Sequence, residues 1–379
     1  MTLNVRAASG AGRSVARGAR PARGAQHILA LDGLRGIAAL AIILYHRRWW
    51  AASDRDFLQH AYLAVDFFFL LSGLVIARAY EAGLHSGAMR WTDFALLRVV
   101  RLYPLLVIGA LLGALFLCLR GVADQDYGLV GRALGGLPFA GLLLPLPPML
   151  FELPFAMNEP SWTLFFELVA NLAFALAAPR LSNRTLAITI AIFAGLLILV
   201  AVQFDGLNTG WRWETLHGGA ARVGFSFLLG VGLHRAARCG RLPRLQAGSW
   251  LPAVLLVAVF CPSLFPRTMN ASYDIAAAML LFPAIIVLGC NCRPTTRVAP
   301  LLRGAGLLSY PAYIIHVPLL ALYEAMIWRL GLPNLVMLGL GTAATGVAAW
   351  LLARYYDAPV RKVLGMRLVR RRTTRSPQG

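Results

Sequence analysis

Long apolar runs alternate with short arginine-rich gaps along most of the chain. A helix needs about 20 mostly apolar residues to cross a bilayer. Ten runs approach this length, namely Ile28–Tyr45, Tyr62–Tyr80, Phe94–Leu117, Trp162–Ala178, Leu186–Phe204, Ala220–His234, Trp250–Phe265, Ile275–Cys290, Gly306–Trp328 and Leu335–Tyr355. The pattern predicts an all-α, polytopic transmembrane helical bundle of about ten spans.

One further apolar stretch, Leu129–Phe155, is interrupted by five prolines. Proline frees backbone groups that must be satisfied inside protein or by water at membrane depth. We therefore interpret this stretch as a re-entrant or interfacial segment. Counting it as a span would also invert every later loop and remove the charge bias described next.

The basic residues orient the predicted spans. The chain has 36 Lys+Arg against 16 Asp+Glu, and the gaps after the even-numbered runs hold most of the loop arginines. The positive-inside rule then places both termini in the cytoplasm. We divide the chain into a disordered basic cytoplasmic tail at residues 1–26, a transmembrane domain at 27–360 and a basic cytoplasmic tail at 361–379.

Composition agrees with a membrane protein and argues against a nucleic-acid-binding one. The chain is 59% apolar and only 14% charged, with a mean hydropathy of +0.66. Soluble domains are about 45–50% apolar. The arginines lie in short gaps rather than on one soluble face, so we expect no nucleic-acid partner. The five cysteines show no metal-ligand spacing, and we expect no metal.

Charged residues inside the first run are candidates for function, because each costs about 2.5–3.5 kcal/mol to insert. Asp32 and Arg35 are three residues apart and can pair. His46 follows Arg35 by eleven residues, which places both on one helix face about 16 Å apart. The alternative is an arginine and a histidine that snorkel to the two edges of the span.

Two carboxylates lie within later runs. Asp66 in the second run needs a partner inside the bundle, and we expect His46 to approach it from the same side. Thr163 and Glu167 are one turn apart in the fourth run. A carboxyl group at that depth must be paired or protonated.

Arg98 and Arg101 project from one face before the third run, on the predicted cytoplasmic side. Guanidinium groups match phosphate oxygens, so this pair suits a polyphosphorylated donor. Lipid headgroup phosphates fit the same spacing equally well.

The ninth run contains Ser309, Tyr313 and His316. A single histidine near mid-membrane is more often a polar packing group than a catalyst. We expect His60 and the remaining histidines to lie near water and assign them no role.

Taken in order, these segments resemble the membrane-bound acyltransferase 3 family, bacterial proteins that acylate sugars and related acceptors. The most specific element is Leu31-Asp32-Gly33-Leu34-Arg35-Gly36 followed by His46. Two positions depart from the family pattern. Thr163 stands where the family often has Ser, and Asp357 begins a final motif that usually starts with Glu.

The resemblance implies a multi-pass protein of the bacterial inner membrane. It implies acyl-CoA, usually acetyl-CoA, as a co-substrate from the cytoplasm and no tightly bound cofactor. The acceptor would be a hydroxyl of a carbohydrate such as a surface polysaccharide or a lipid-linked sugar. Arg35 and His46 would belong to the catalytic centre, and Arg98 and Arg101 would bind the donor.

A mechanism follows as a hypothesis. His46 acts as general base on the acceptor hydroxyl, and Asp66 or Glu167 orients it. Arg35 neutralises charge along the donor or stabilises the oxyanion. Asp32, Thr163, Ser309, Tyr313 and His316 support the site. An acyl-histidine intermediate is a second route.

Two other classes of function fit the same residues. A transporter or flippase would use the intramembrane charges to line a pathway, and a membrane scaffold would use them as structural pairs. Transfer of a labelled acyl group from acetyl-CoA would separate the enzyme from both.

Overall fold

The computed structural model describes residues 28–47, 58–243, 248, 250–261, 269–327 and 331–373. Every regular element within these ranges is helical. The helices are α1 Leu29–His46, α2 Ala61–His85, α3 Trp91–Ala123, α4 Tyr127–Gly141, α5 Ser161–Ala177, α6 Asn183–Gln203, α7 Trp213–Arg238, α8 Leu251–Phe260, α9 Asn270–Asn291, α10 Ala299–Ile327 and α11 Asn334–Thr373.

The prediction of an all-α polytopic bundle is confirmed. Eight helices are long and apolar enough to cross a membrane, and α5 and α8 are shorter apolar helices. Each of the ten predicted runs overlaps one helix. The number of crossings and the cytoplasmic position of both termini stay predictions. The tail at residues 1–26 lies outside the described ranges, as do residues 374–379.

The proline-rich stretch forms α4 and a non-helical return. The Asp126 carboxylate caps α4 by accepting from the backbone N–H of Leu129 at 2.9 Å. At the far end of α4, the Tyr103 hydroxyl of α3 donates to the Leu142 carbonyl at 3.1 Å. The chain then turns back, and the Asn158 amide donates to the Ile314 carbonyl of α10 at 2.9 Å. These bonds connect the stretch and the residues after it to α3 and α10, and its re-entrant or interfacial position stays a prediction.

The last helix continues past the boundary that we set at residue 360. After Leu352, α11 passes through a π-helical turn at Ala353–Asp357 and runs on as Ala358–Thr373. The Asp357 carboxylate pairs with Arg361 one turn later. The first part of the predicted basic tail is therefore helical and continuous with the membrane domain.

Glycines let two pairs of helices approach closely. A Cβ at Gly36 of α1 would lie 2.6 Å from the Ala305 Cβ of α10, and one at Gly306 would lie 2.5 Å from the Asp32 Cβ. A Cβ at Gly73 of α2 would collide with the Phe227 carbonyl of α7. Small residues at such contacts are typical of helix packing in membranes.

A buried ion pair joins α2 to α7. Asp66 is 0% exposed and Arg222 is 1% exposed. The guanidinium donates to both Asp66 oxygens, with the shortest N–O distance 2.7 Å. It also donates to the Thr209 carbonyl at 2.7 Å and to the Tyr62 carbonyl at 3.0 Å. Through these hydrogen bonds Arg222 holds the loop after α6 against α2 and α7.

We expect Arg222→Ala to lower the free energy of unfolding by about 3–5 kcal/mol, because it leaves Asp66 charged and unpaired in a dry site. Thermal unfolding in detergent, followed by size-exclusion chromatography, measures the change. Arg184→Ala removes an exposed arginine at the start of α6 and serves as the control. Equal midpoints for the two variants would contradict a stabilising role for the pair.

If the chain has ten spans, we expect reporter fusions after Arg90 and after Arg375 both to report a cytoplasmic position, because the loop arginines stay on the inner side. Paired reporters that are active on opposite sides of the membrane provide the measurement. A periplasmic fusion after Arg375 would mean an odd number of crossings and would make Leu129–Phe155 a true span.

Candidate functional site

Five helices enclose a cavity of about 190 Å³ at one end of the bundle. We call it the arginine cavity. Its polar lining comes from α1, α2, α3, α5 and α10, and consists of Arg35, Ser72, Arg98, Arg101, Thr163, Glu167, Ser309, Tyr310 and Tyr313. The structure thus brings together most of the candidate site residues from five separate segments of the sequence.

Arg35 is held in a fixed orientation by α10. Its Nε donates to the Ser309 hydroxyl at 2.9 Å, and its Nη2 donates to the Gly306 carbonyl at 2.7 Å. Asp32 lies 3.6 Å from Nη2 on the same helix. The close approach of α1 to α10 makes these contacts possible. Asp32 thus lies beside Arg35, as their three-residue spacing predicted, and Ser309 holds Arg35 from α10.

Arg98 and Glu167 form an ion pair between α3 and α5, with an N–O distance of 3.0 Å. The Ser72 hydroxyl of α2 donates to the same Glu167 oxygen at 2.8 Å. The Nε of Arg98 is buried, and no acceptor for it lies among the described residues. Arg98 is thus anchored by Glu167 at the wall of the arginine cavity.

Arg101 lies one turn further along α3, with its guanidinium carbon 5.3 Å from the centre of the Tyr310 ring. Within the described residues it makes no hydrogen bond or ion pair to protein, which leaves its N–H groups for other acceptors. The Asp357–Arg361 pair of α11 interacts electrostatically with it. Arginines from α1, α3 and α11 therefore converge at this end of the bundle.

A second cavity, of about 260 Å³, lies nearer the other end of α1. We call it the histidine cavity. Its polar and aromatic lining is formed by Tyr45, His46, Tyr62, Glu159, Trp162, Asn208, Trp211, Arg222 and Tyr313. Arg35 and His46 therefore face two different cavities, as their predicted separation along one helix face requires.

His46 contacts the second histidine of the predicted site. Its Nδ1 lies 2.8 Å from the Ile42 carbonyl and 3.3 Å from Nε2 of His316. His316 is fully buried, and its own Nδ1 lies 2.6 Å from the Tyr313 carbonyl. We predicted only a supporting role for His316, because nothing in the sequence of α10 shows that α1 brings a second histidine to it.

The carboxylates that we expected to orient His46 are engaged elsewhere. Asp66 is paired with Arg222, and Glu167 is paired with Arg98 and Ser72. The expectation that His46 meets Asp66 is therefore wrong. The reason is that an arginine on α7 donates to both Asp66 oxygens in a buried site.

A buried network beside the histidine cavity was missed in the sequence. His60 is 5% exposed, so the expectation that it lies near water is wrong. Its Nδ1 lies 2.8 Å from an oxygen of Asp274 on α9, whose other oxygen accepts from the Tyr62 hydroxyl at 2.7 Å. The signal available was Asp274 itself, a charged residue directly before the eighth apolar run.

One wall separates the two cavities. Val65 and Tyr313 line both of them, and the Phe68 ring packs edge-on against Tyr313 at 5.6 Å. The Thr163 hydroxyl donates to the Pro160 carbonyl at 2.8 Å, so its single proton is used there. The Tyr313 hydroxyl, 2.9 Å away, must then be the donor to Thr163. This bond holds the wall between α5 and α10.

Comparisons with known proteins identify the family. The acyltransferase 3 family model, described as an acyltransferase domain, matches residues 28–354. "Protein 2 in picA locus" of Rhizobium radiobacter is 36% identical over 190 residues, which is 47% of this chain and 97% of that protein.

The peptidoglycan O-acetyltransferase OatA of Listeria monocytogenes is 25% identical over 372 residues, which is 89% of this chain. The chain spans 56% of the length of that relative. No solved structure matches. The chain therefore belongs to the acyltransferase 3 family and is a membrane acyltransferase.

Proposed function

We propose that the protein transfers an acyl group, acetyl in the first instance, from acyl-CoA in the cytoplasm to a hydroxyl of a carbohydrate acceptor in the bacterial inner membrane or beyond it. One observation carries the proposal. A cavity lined by arginines and a cavity lined by a histidine meet at a single wall, at Val65 and Tyr313. Donor and acceptor can therefore approach one another from opposite ends of the bundle.

The arginine cavity suits the donor. Coenzyme A carries phosphate groups and a long thiol arm, and guanidinium groups bind phosphate through paired hydrogen bonds. Arg101 makes no ion pair among the described residues, and both Arg98 and Arg101 line the cavity. Glu167 fixes the position of Arg98 at 3.0 Å without neutralising the cluster as a whole. The site can thus accept an anion at little cost of reorganisation.

The histidine cavity suits the acceptor hydroxyl. His46 lines it together with tyrosine, tryptophan and asparagine side chains, a combination that offers both ring faces and polar groups to a sugar. His46 takes the proton from the acceptor hydroxyl, and that oxygen attacks the thioester carbonyl carbon. The carbon–sulfur bond breaks, and the coenzyme A sulfur leaves with the proton that His46 returns.

Arg35 acts on the donor side of the wall. Its guanidinium is fixed by Ser309 and by the Gly306 carbonyl, so it does not have to reorganise as charge develops. A fixed guanidinium neutralises negative charge along the donor without moving to meet it. The thioester carbonyl must reach the wall at Tyr313 for His46 to act on the attacking hydroxyl, while Arg35 stays with the part of the donor in the arginine cavity.

The function is tested with purified protein in detergent and [¹⁴C-acetyl]-CoA. Release of free coenzyme A that depends on a carbohydrate acceptor, together with label on that acceptor, is the expected result. A protein that binds acetyl-CoA, produces no free thiol with any acceptor preparation, and moves an unmodified glycolipid across vesicles would be a flippase instead.

We expect Arg98→Ala and Arg101→Ala each to weaken acetyl-CoA binding, because each removes a phosphate-matching fork. A lysine at either position should restore binding only in part, since an ammonium group cannot reproduce the paired geometry. Isothermal titration calorimetry in detergent gives the affinity. Arg120→Ala, at the exposed far end of α3, is the matched control.

Unchanged donor affinity in a folded Arg98→Ala/Arg101→Ala double variant would remove both residues from the donor site. Loss of affinity in Arg120→Ala of the same size would mean that helix α3 responds to any loss of charge.

His46→Ala should lower the transfer rate by about 100- to 10,000-fold, which is the usual contribution of a general base. Donor binding should persist, because Arg98 and Arg101 lie across the wall. Steady-state release of coenzyme A measures the rate. His217→Ala removes an exposed histidine near the same end and is the control. Near-normal turnover by His46→Ala would place the base elsewhere, with Glu167 the next residue to test.

A further inference from the structure

We infer that His316 is a positioning residue for His46, and that the pair replaces the histidine–carboxylate arrangement expected at such a base. The inference rests on the proposed function, because it assigns a partner to the base of that reaction. It is carried by the 3.3 Å contact between Nε2 of His316 and Nδ1 of His46, made between α10 and α1.

The hydrogen bonds of His316 determine its tautomer. Its Nδ1 lies 2.6 Å from the Tyr313 carbonyl, which can only accept, so Nδ1 carries the proton. His316 is 0% exposed, and a charged imidazole there would be costly. A neutral imidazole has one N–H. Nε2 of His316 therefore presents a lone pair toward His46.

The same reasoning applies to His46. Its Nδ1 faces two acceptors, the Ile42 carbonyl at 2.8 Å and Nε2 of His316 at 3.3 Å. Nδ1 must therefore carry the proton that both acceptors share. The lone pair of His46 is then on Nε2. Because His46 lines the histidine cavity, this is the tautomer that a general base for an acceptor hydroxyl requires.

His316 acts through His46 and not on the substrate. His46 lines the histidine cavity and His316 does not, since His316 is buried behind it with the ring centres 4.9 Å apart. When His46 takes a proton on Nε2, its Nδ1–H becomes a stronger donor, and Nε2 of His316 accepts it. In a serine hydrolase triad a carboxylate has this position.

A neutral partner has a physical advantage at this depth. A carboxylate beside His46 would have to lose its water or be paired with a cation, as Asp66 is with Arg222. His316 needs only the Tyr313 carbonyl of its own helix to be satisfied. The base is thus oriented without a buried carboxylate, toward the opposite end of the α1–α10 contact from Gly36 and Gly306.

Two substitutions at His316 separate positioning from packing. A glutamine can place its carbonyl oxygen near the position of Nε2 and keep an acceptor for His46. An asparagine can replace Nδ1 and keep the bond to the Tyr313 carbonyl, but it is too short to reach His46. His316→Asn should lower kcat by about 10- to 100-fold with the KM for acetyl-CoA unchanged, as for loss of other residues that orient an active-site histidine. His316→Gln should retain most of the activity.

The tautomer gives a readout that does not depend on activity. In protein labelled with ¹⁵N-histidine, the two ring nitrogens of His46 should report an Nδ1–H imidazole in the wild type and in His316→Gln. Signals are assigned by their loss in His46→Ala. His316→Asn should give a mixture of tautomers. An Nε2–H tautomer in the wild type would overturn the inference whether or not acyl transfer is observed.

A double variant distinguishes a loss of activity through His46 from a loss caused by misfolding. Residues that act as one unit lose activity non-additively, so His316→Asn should cause no further loss of rate in the His46→Ala background. A further loss of 10-fold or more there would show an independent role and overturn the inference. Equal losses of activity in His316→Asn and His316→Gln would also overturn the inference.

If the wild type transfers no acyl group, the proposed function fails. The tautomer of His46 measured by NMR would still show whether His316 accepts a hydrogen bond from it.

Discussion

The packing of α1 against α10 is the contact on which both halves of the site depend. Gly36 and Gly306 allow the two backbones to approach to a distance that larger residues would prevent. At one end of this contact, Ser309 and the Gly306 carbonyl hold Arg35. Toward the other end, His316 reaches His46. A side chain at either glycine would therefore disturb the helix contact that holds both Arg35 and His46.

An unpaired buried charge is costly, and this cost explains which charged side chains are paired with one another and which are available to a ligand. The five buried acidic residues in the described part of the chain all lie beside an arginine or histidine, as Asp32–Arg35, Asp66–Arg222, Glu81–Arg235, Asp274–His60 and Asp357–Arg361. An unpaired carboxylate would be very costly in such a bundle. Arg101 is different, because its N–H groups have no acceptor in that part of the protein. Asp66, Glu81 and Asp274 pair with residues of other elements, whereas the arginines of the arginine cavity are not all paired with acidic groups.

The sequence predicted well where the helices lie and which charged residues lie inside them. It predicted poorly which residues contact one another. Apolar runs of membrane length locate helices because the bilayer imposes that length, and Arg35, His46 and Glu167 are conspicuous because charge is rare inside such runs. Which residues meet depends on which helices pack, and no spacing encodes that. His46 and His316 are 270 positions apart, and Asp66 and Arg222 are 156 apart. The expected Asp66–His46 contact was wrong for this reason, and the Asp274–His60 pair was missed.

The wall at Tyr313 explains why one departure from the family pattern is harmless. Tyr313 donates its hydroxyl proton to Thr163, whose own proton goes to the Pro160 carbonyl. The position thus needs a side-chain hydroxyl that can accept and donate at once. Serine and threonine both provide it, whereas valine, of the same shape, would leave the Tyr313 hydroxyl without this acceptor. The extra methyl of Thr163 adds apolar contact at a 5% exposed site. Because the same tyrosine borders both cavities, this one hydrogen bond holds the surface that separates the arginine cavity from the histidine cavity.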